Sequence, residues 1–188
     1  MIDVPMIIGL TGLARCGKDT FCNYARQYLK SKNYESQRLA FADELKKDLD
    51  AFLIEKLNIS AFTEVTSEKE IIRPMLTTWG TEIMRKQDDL CWVKKVEEII
   101  VENQKNNIVS IVTDIRFPNE IEYIHKMGGC VIHLTMTGNK PANDYEAEND
   151  PLLRKNSNCH VEWERYGDDA LEKCIAHVET AFKECINK

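Results

Sequence analysis

Long apolar runs are missing from this chain: nothing approaches the ~18 to 20 uninterrupted apolar residues that a membrane-spanning helix needs. The first ten residues carry neither a basic stretch nor a small-residue cleavage site, so they do not read as a secretory leader. Glycine and proline are sparse, 8 and 5 of 188 residues, and there is no repeat, low-complexity tract or Pro/Gly/Ser-rich linker. Paired cysteines are missing too. The seven (Cys16, Cys22, Cys91, Cys130, Cys159, Cys174, Cys185) are odd in number, scattered, and contain no C-x-x-C. A disulfide framework or zinc site needs even or clustered spacing, so they read as reduced thiols buried in a cytosolic protein. Basic charge is not in excess: Lys+Arg 25 against Asp+Glu 31 leaves a net charge of -6. That argues against a protein gripping duplex nucleic acid through its phosphates, while leaving open a local cationic pocket for a small anion. These absences predict one soluble cytoplasmic domain with no membrane partner.

What is present alternates short apolar runs with amphipathic stretches. Met6–Leu10 is a buried strand by its continuous apolar character, and Thr20–Leu29 a helix with Phe21, Tyr24, Ala25, Tyr28 and Leu29 on one face. Arg38–Phe41 reads as a second strand, followed by a helix marked by Leu45, Leu49, Phe52, Leu53 and Leu57. Helices are expected over 68–87 and 90–104, a strand over Ile108–Thr113, and a short helix over Pro118–Met127 ended by Gly128-Gly129. Cys130–Met136 and Cys159–Trp163 are further strands, with a periodic helix over 169–187. Residues 137–158 are polar, carry Pro141 and Pro151, and have no helical or strand period, so they read as either a functional lid or a disordered stretch. Five apolar strands separated by helices predict an α/β fold with a parallel sheet covered on both faces. Ligands of such sheets bind at the carboxyl ends of the strands, where Gly12, Phe41, Asp114 and Thr137 are expected.

Gly12-Leu13-Ala14-Arg15-Cys16-Gly17-Lys18-Asp19-Thr20 then stands directly between a strand and a helix. G-x-x-x-x-G-K in that setting is a phosphate loop. Its glycines let backbone N–H groups turn inward around a phosphate, Lys18 bridges the outer phosphates, and the helix N-terminus adds its dipole. The strict motif places Ser or Thr after the lysine, to reach Mg²⁺. Here Asp19 holds that place and Thr20 follows. Either Asp19 ligates the metal, directly or through water, or it favours the helix N-terminus while Thr20 reaches the metal. Gly12, Ala14, Gly17, Lys18, Asp19 and Thr20 are the candidate ATP and phosphate contacts. Arg15 can touch the transferring group, and Cys16 reads as a packed loop thiol.

The chain resembles the bacteriophage-type deoxynucleoside monophosphate kinases, a branch of the adenylate-kinase-like P-loop kinases. The resemblance covers most of the chain in matching order. It rests on GLTGLARCGKDTF (9–21), LAFADELKKDL (39–49), RPMLTTWGTEIMR (73–85), CWV (91–93), TDIRFPNE (113–120) and GGCVIHL (128–134). The GKDT form is typical of that family. The resemblance implies a P-loop NTPase fold, a five-stranded parallel sheet of order 2-3-1-4-5, a helical acceptor-binding insert over about 43–104 and a lid over about 137–158, in one domain. It implies transfer of a phosphoryl group from ATP, with Mg²⁺, to a deoxynucleoside 5′-monophosphate, and a viral protein acting in a host cytosol. A homodimer is compatible with a sequence that carries no signal of its own for oligomeric state.

On that reading Asp114 holds Mg²⁺ or orients the acceptor, and Arg116 stabilises charge on the group in transit; phosphoryl transfer needs cations along the charge path more than covalent help. Lys46 meets the acceptor phosphate. Arg73, Thr81 and Arg85 read a base edge or hold that phosphate, and Trp92 is a candidate to stack on the base, as is Trp79. Close approach of a nucleotide would explain Gly80 inside a helical pattern. Arg154 is the expected lid cation, while Glu120 and Asn119 cap the helix that follows. His133 and His160 are read as core histidines. The alternatives are a kinase of another small acceptor, phosphomevalonate-like or dephospho-coenzyme A-like, and a nucleotide switch. A GTP switch would carry N-K-x-D, whereas Asn139-Lys140-Pro141-Ala142 lacks the acid.

Overall fold

The computed structural model describes residues 4–142, 144–164 and 170–186. Five strands form one all-parallel sheet of order β2-β3-β1-β4-β5: β1 Ile7–Thr11, β2 Glu35–Leu39, β3 Ile108–Val112, β4 Cys130–Met136 and β5 Cys159–Trp163. The helices are α1 Lys18–Ser31, α2 Phe41–Leu57, α3 Thr66–Thr77, α4 Arg85–Gln87, α5 Cys91–Lys105, α6 Pro118–Lys126, α7 Asp144–Asn156 and α8 Leu171–Ile186. Between α3 and α4, Thr78–Met84 winds as a π-helix. The chain divides into two compact units, one from the segments up to Leu39 and from Ile99 onward, the other spanning Ala40–Glu98.

In the first unit, β1 is buried at all five residues because strands flank it on both sides and helices cover both faces. Register pairs Ile7 with Ser110 on one side and Thr11 with His133 on the other, so β1, β3 and β4 all end at one edge. The edge strand β2 differs. Glu35, Gln37 and Arg38 are exposed, and it ends at Leu39, two residues before the expected end, because Phe41 already opens α2. Polar side chains on an edge strand discourage pairing with another chain. α8 packs Cys174, Val178, Ala181, Phe182 and Cys185 inward, at the 3.6-residue period read in the sequence, and Phe182 meets Tyr28 of α1 edge-on at 5.7 Å.

The polar stretch after β4 departs from expectation. Residues 144–156 are helical despite Pro151. Asp144 and Glu146 lie in the first turn and Arg154 and Lys155 in the last, which suits the helix dipole, and only Leu153 of its well-described residues is buried. Charge placement and polar tethers hold this helix, so no apolar period announces it.

In the second unit Leu49, Leu53, Ile59, Ala61 and Ile72 form the core, with Met75, Leu76 and Trp79 packed against it. The Asp50 carboxylate accepts from Ser60 Oγ and from the Ala61 N–H, both at 2.8 Å, fixing the turn after α2.

His133 of β4 is 1% exposed, as expected of a core histidine. Its Nε2–H donates to Asp150 Oδ1 at 3.0 Å, and Thr135 Oγ1 lies 3.4 Å from Nδ1. His160 is not a core residue: β5 is an edge strand with an alternating pattern, and the exposed His160 ring donates to the Arg154 carbonyl at 2.6 Å. Burial pushes the His133 pKa below 6.5, with Asp150 opposing. An unfolded chain therefore takes up this proton first on acidification, so the stabilisation from neutral His133 is full above about pH 6.5 and is lost below it. The wild-type melting temperature should fall more steeply between pH 7.5 and 5.5 than that of His133→Gln, by a few degrees. Parallel curves would show that His133 carries no proton linkage.

Candidate active site at the phosphate loop

The loop from Gly12 to Lys18 leaves β1 at the carboxyl edge of the sheet. Gly12 has φ 129° and Gly17 φ 88°, conformations that L side chains rarely adopt. A β-carbon on Gly12 would collide with the Leu134 carbonyl oxygen of β4, and one on Gly17 would lie 2.6 Å from the Trp163 ring. Trp163, at the end of β5, is 3% exposed; it donates its indole N–H to the Cys16 carbonyl at 2.8 Å and meets Phe21 edge-on. The loop is thus pressed against β4 and β5.

Lys18 Nζ donates to the carbonyls of Gly12 and Leu13, both at 2.8 Å, and lies 3.7 Å from Cys16 Sγ. Cys16 is buried, and burial raises its pKa against the lowering effect of the Lys18 ammonium. The thiol stays protonated and packed, as the sequence suggests. Burial likewise raises Cys22 to about 11. All seven cysteines are free.

The opposite lip is made by the turn after β3. Thr11 Oγ1 donates to the Ile115 carbonyl at 3.0 Å, and the Ile115 N–H donates to Leu10 at 3.2 Å. Glu120, 3% exposed, accepts from the N–H groups of Arg116 (2.8 Å) and Phe117 (3.1 Å). This is the capping role expected of Glu120; it also fixes the backbone that carries Arg116 while leaving the guanidinium exposed. A cleft lies between these walls, lined by Gly12, Leu13, Ala14, Lys18, Ile115 and Arg116, and by Glu146, Asn149, Asp150 and Leu153 of α7.

Of the residues singled out in the sequence, Gly12, Ala14, Lys18 and Arg116 converge on this cleft, and Gly17 shapes the loop. Asp114 sits half-buried at the end of β3, beside the lining residue Ile115. Arg15 is exposed with φ 61°. Asp19 and Thr20 are exposed on the first turn of α1, and Asp19 lies 3.4 Å from Arg38 Nε of β2. Arg154 is exposed near the end of α7. Asp19 and Asp114 offer the oxygen donors that a hard cation takes; among the described residues no cluster of three or more His, Cys, Asp or Glu forms a metal cage. Four contributors were not read from the sequence: Trp163 behind the loop, Asn139, whose Nδ2 donates to the Ala14 carbonyl at 2.8 Å, and Glu146 and Asp150 on α7. Trp163, Asn139 and Glu146 meet partners more than a hundred residues away, and Asp150 stands on a helix with no apolar signal, so spacing gives no hint of them.

The remaining candidates belong to the second unit. Lys46 Nζ lies 3.8 Å from Asp43 and 5.3 Å from the Phe62 ring centre. Arg73 is exposed on α3, and Thr81 and Arg85 are half-buried, Thr81 within the π-helix. Trp92 is 4% exposed, and its indole N–H donates to the Gly80 carbonyl at 3.1 Å. A β-carbon on Gly80 would meet the end of the Leu45 side chain of the same unit, which would have to shift to admit it. The Trp79 indole nitrogen is buried with no hydrogen-bond partner among the described residues.

No helix among the described residues is long and apolar enough to cross a membrane. Among curated proteins none matches this sequence. Among solved structures, the chain is similar to a dephospho-CoA kinase from Campylobacter jejuni at 16% identity, covering 95% of this chain and 98% of that one with a TM-score of 0.56. It is also similar to a shikimate kinase from Bacteroides thetaiotaomicron at 12% identity, 93% and 96% coverage and a TM-score of 0.49. The first likeness establishes the fold, the P-loop kinase sheet of order 2-3-1-4-5. Residues 10–129, from the end of β1 to the start of β4, match the family model described as phosphomevalonate kinase. This stretch takes in the loop, Lys18 and Arg116 together, and on that match the chain belongs to the phosphomevalonate kinase family, as a P-loop kinase of a small acceptor.

Proposed function

We propose that this P-loop kinase transfers the γ-phosphoryl group of Mg·ATP to the phosphate of a deoxynucleoside 5′-monophosphate. The acceptor oxygen attacks the γ-phosphorus, the bond to the β,γ-bridging oxygen breaks, and ADP leaves with a deoxynucleoside diphosphate. The observation that carries the donor half is the convergence of the loop amides, Lys18 and Arg116 on one cleft. Loop amides cradle the β-phosphate. Lys18, released from the Gly12 and Leu13 carbonyls, spans the outer phosphates, and Arg116 meets the charge that develops in transfer. Asp19, Thr20 and Asp114 are the residues that would hold Mg²⁺, which would offset phosphate charge there.

The acceptor half rests on the ordered blocks shared with the bacteriophage-type enzymes, two of which, RPMLTTWGTEIMR and CWV, lie in the second unit. Arg73 and Arg85 offer the forked donors that suit a phosphate, and Lys46 adds a point charge. Arg154 is the lid cation on this reading. The family match favours a second acceptor, phosphomevalonate, which presents a phosphate to the same chemistry.

A coupled assay for ADP release with Mg·ATP against dAMP, dCMP, dGMP, dTMP, their ribonucleotides, phosphomevalonate, dephospho-coenzyme A and a no-acceptor blank separates these readings. Turnover should depend on one or more deoxynucleotides. Turnover with phosphomevalonate alone would replace the acceptor and keep the loop's role, and equal release in every well would leave an ATPase. Lys18→Ala should lower turnover by at least ~10²-fold while the fold persists; wild-type rates in that variant would remove the loop from the mechanism. Arg116→Ala should lower kcat by a similar factor with little change in ATP binding. A loss confined to binding would make Arg116 a positioning residue.

A further inference from the structure

A phosphate loop is built to receive an anion, and in this structure it already holds one of the protein's own. The Glu146 carboxylate accepts from the Ala14 N–H at 3.2 Å and, through the same oxygen, from the Ala142 N–H at 3.0 Å. Asn139 Nδ2 donates to the Ala14 carbonyl at 2.8 Å, so Ala14 is held at both its polar groups, by Asn139 ahead of α7 and by Glu146 in its first turn. Glu146, Asn149 and Asp150 stand at i, i+3 and i+4, one face of α7, and all three line the cleft with Gly12, Ala14 and Lys18.

Carboxylates on the wall of a phosphate cleft oppose a phosphate by charge, and Glu146 also occupies a donor that a phosphate oxygen would use. The amide of Ala14 has one hydrogen and cannot serve both fully. We propose that Glu146 is an internal stand-in for a nucleotide phosphate: it caps the loop while the cleft is free of nucleotide, and nucleotide binds by displacing it. α7 is built to allow this. Glu146 lies in the first turn, whereas the tethers of Asp150 to His133 and of Leu153 in the core lie one to two turns further on. The first turn can lift from the loop while the rest of the helix stays anchored. This inference rests on the loop's binding a nucleotide phosphate and is indifferent to the acceptor.

The test is the affinity of the full chain for ADP and ATP, with Mg²⁺, by calorimetry, in wild type, Glu146→Gln and Glu146→Ala. Removing the competing charge should tighten nucleotide binding by roughly 3- to 10-fold in both variants, mainly through faster association, the scale of one charge-assisted hydrogen bond discounted for partial exposure. The nucleotide-free melting temperature should fall slightly and the ADP-induced shift should grow. Unchanged or weaker binding in folded variants would overturn the proposal and make Glu146 a brace that shapes the loop. If neither variant folds, Glu146→Asp replaces them, since its shorter side chain withdraws the oxygen from Ala14 while keeping the charge on α7. It too should bind nucleotide more tightly than wild type, and the same or weaker affinity would overturn the proposal. A wild-type protein that binds neither nucleotide would remove the phosphate-loop reading and this inference together, whereas equal binding by wild type and variants removes only this one.

Discussion

Everything at the cleft depends on the turn that the backbone makes between Gly12 and Lys18, which takes positive φ at Gly12 and Gly17 and leaves no room there for a β-carbon. Here the turn is imposed from outside. Gly12 is pressed against the Leu134 carbonyl and Gly17 against the Trp163 ring, both at left-handed φ, while the Trp163 indole pins the Cys16 carbonyl. Neither backing residue can yield easily, since Leu134 is wholly buried and Trp163 nearly so. The parallel sheet is what makes this possible: only with β1, β3, β4 and β5 running one way do the loop, the Arg116 turn and the Trp163 wall reach the same edge.

Charge around the loop follows from that geometry. A net charge of -6 on the whole chain says little about this cleft, which sets Lys18 and Arg116 against Glu146 and Asp150, so the placement of these four groups governs its field at short range. Lys18 has its ammonium satisfied by two loop carbonyls, so it braces the loop before it serves a phosphate. Its field does not ionise Cys16, for burial acts more strongly than the nearby charge. A thiol in this loop is therefore filler for the space between Gly12 and the sheet, not a reactive group.

The parts of the fold legible in the sequence are those built on apolar period. β1, β3 and β4 show as continuous apolar runs because both their faces are covered, and α8 shows as a stripe because one face is. Strand order is not carried by periodicity at all; it came from the resemblance of ordered blocks. The edges were harder. β2 and β5 expose alternate residues, which shifted the end of β2 and hid the exposure of His160. α7 has no apolar signal because its tethers are polar, Glu146 to Ala14 and Asp150 to His133. At the site, the phosphate loop was legible because its chemistry demands fixed spacing along the chain. Glu146, Asn139 and Trp163 were not, because each acts on the loop across more than a hundred residues of sequence.

The same reasoning bears on where acceptor selectivity can reside. Discrimination between small acceptors is strongest where a polar group is left unpaired by the wrong one. Trp92 is poorly placed for that role, since its only donor is spent on the Gly80 carbonyl and its ring is buried, with Lys95 above it at 5.0 Å. Lys46 has Asp43 and the Phe62 face as company. Arg73, by contrast, is exposed on α3. Thr81 lies in a π-helical turn, a local geometry that costs hydrogen-bond quality and is found disproportionately at functional sites. The loop supplies chemistry common to any phosphoryl donor, so on the proposed reading selection among acceptors is left to side chains such as Arg73 and Thr81.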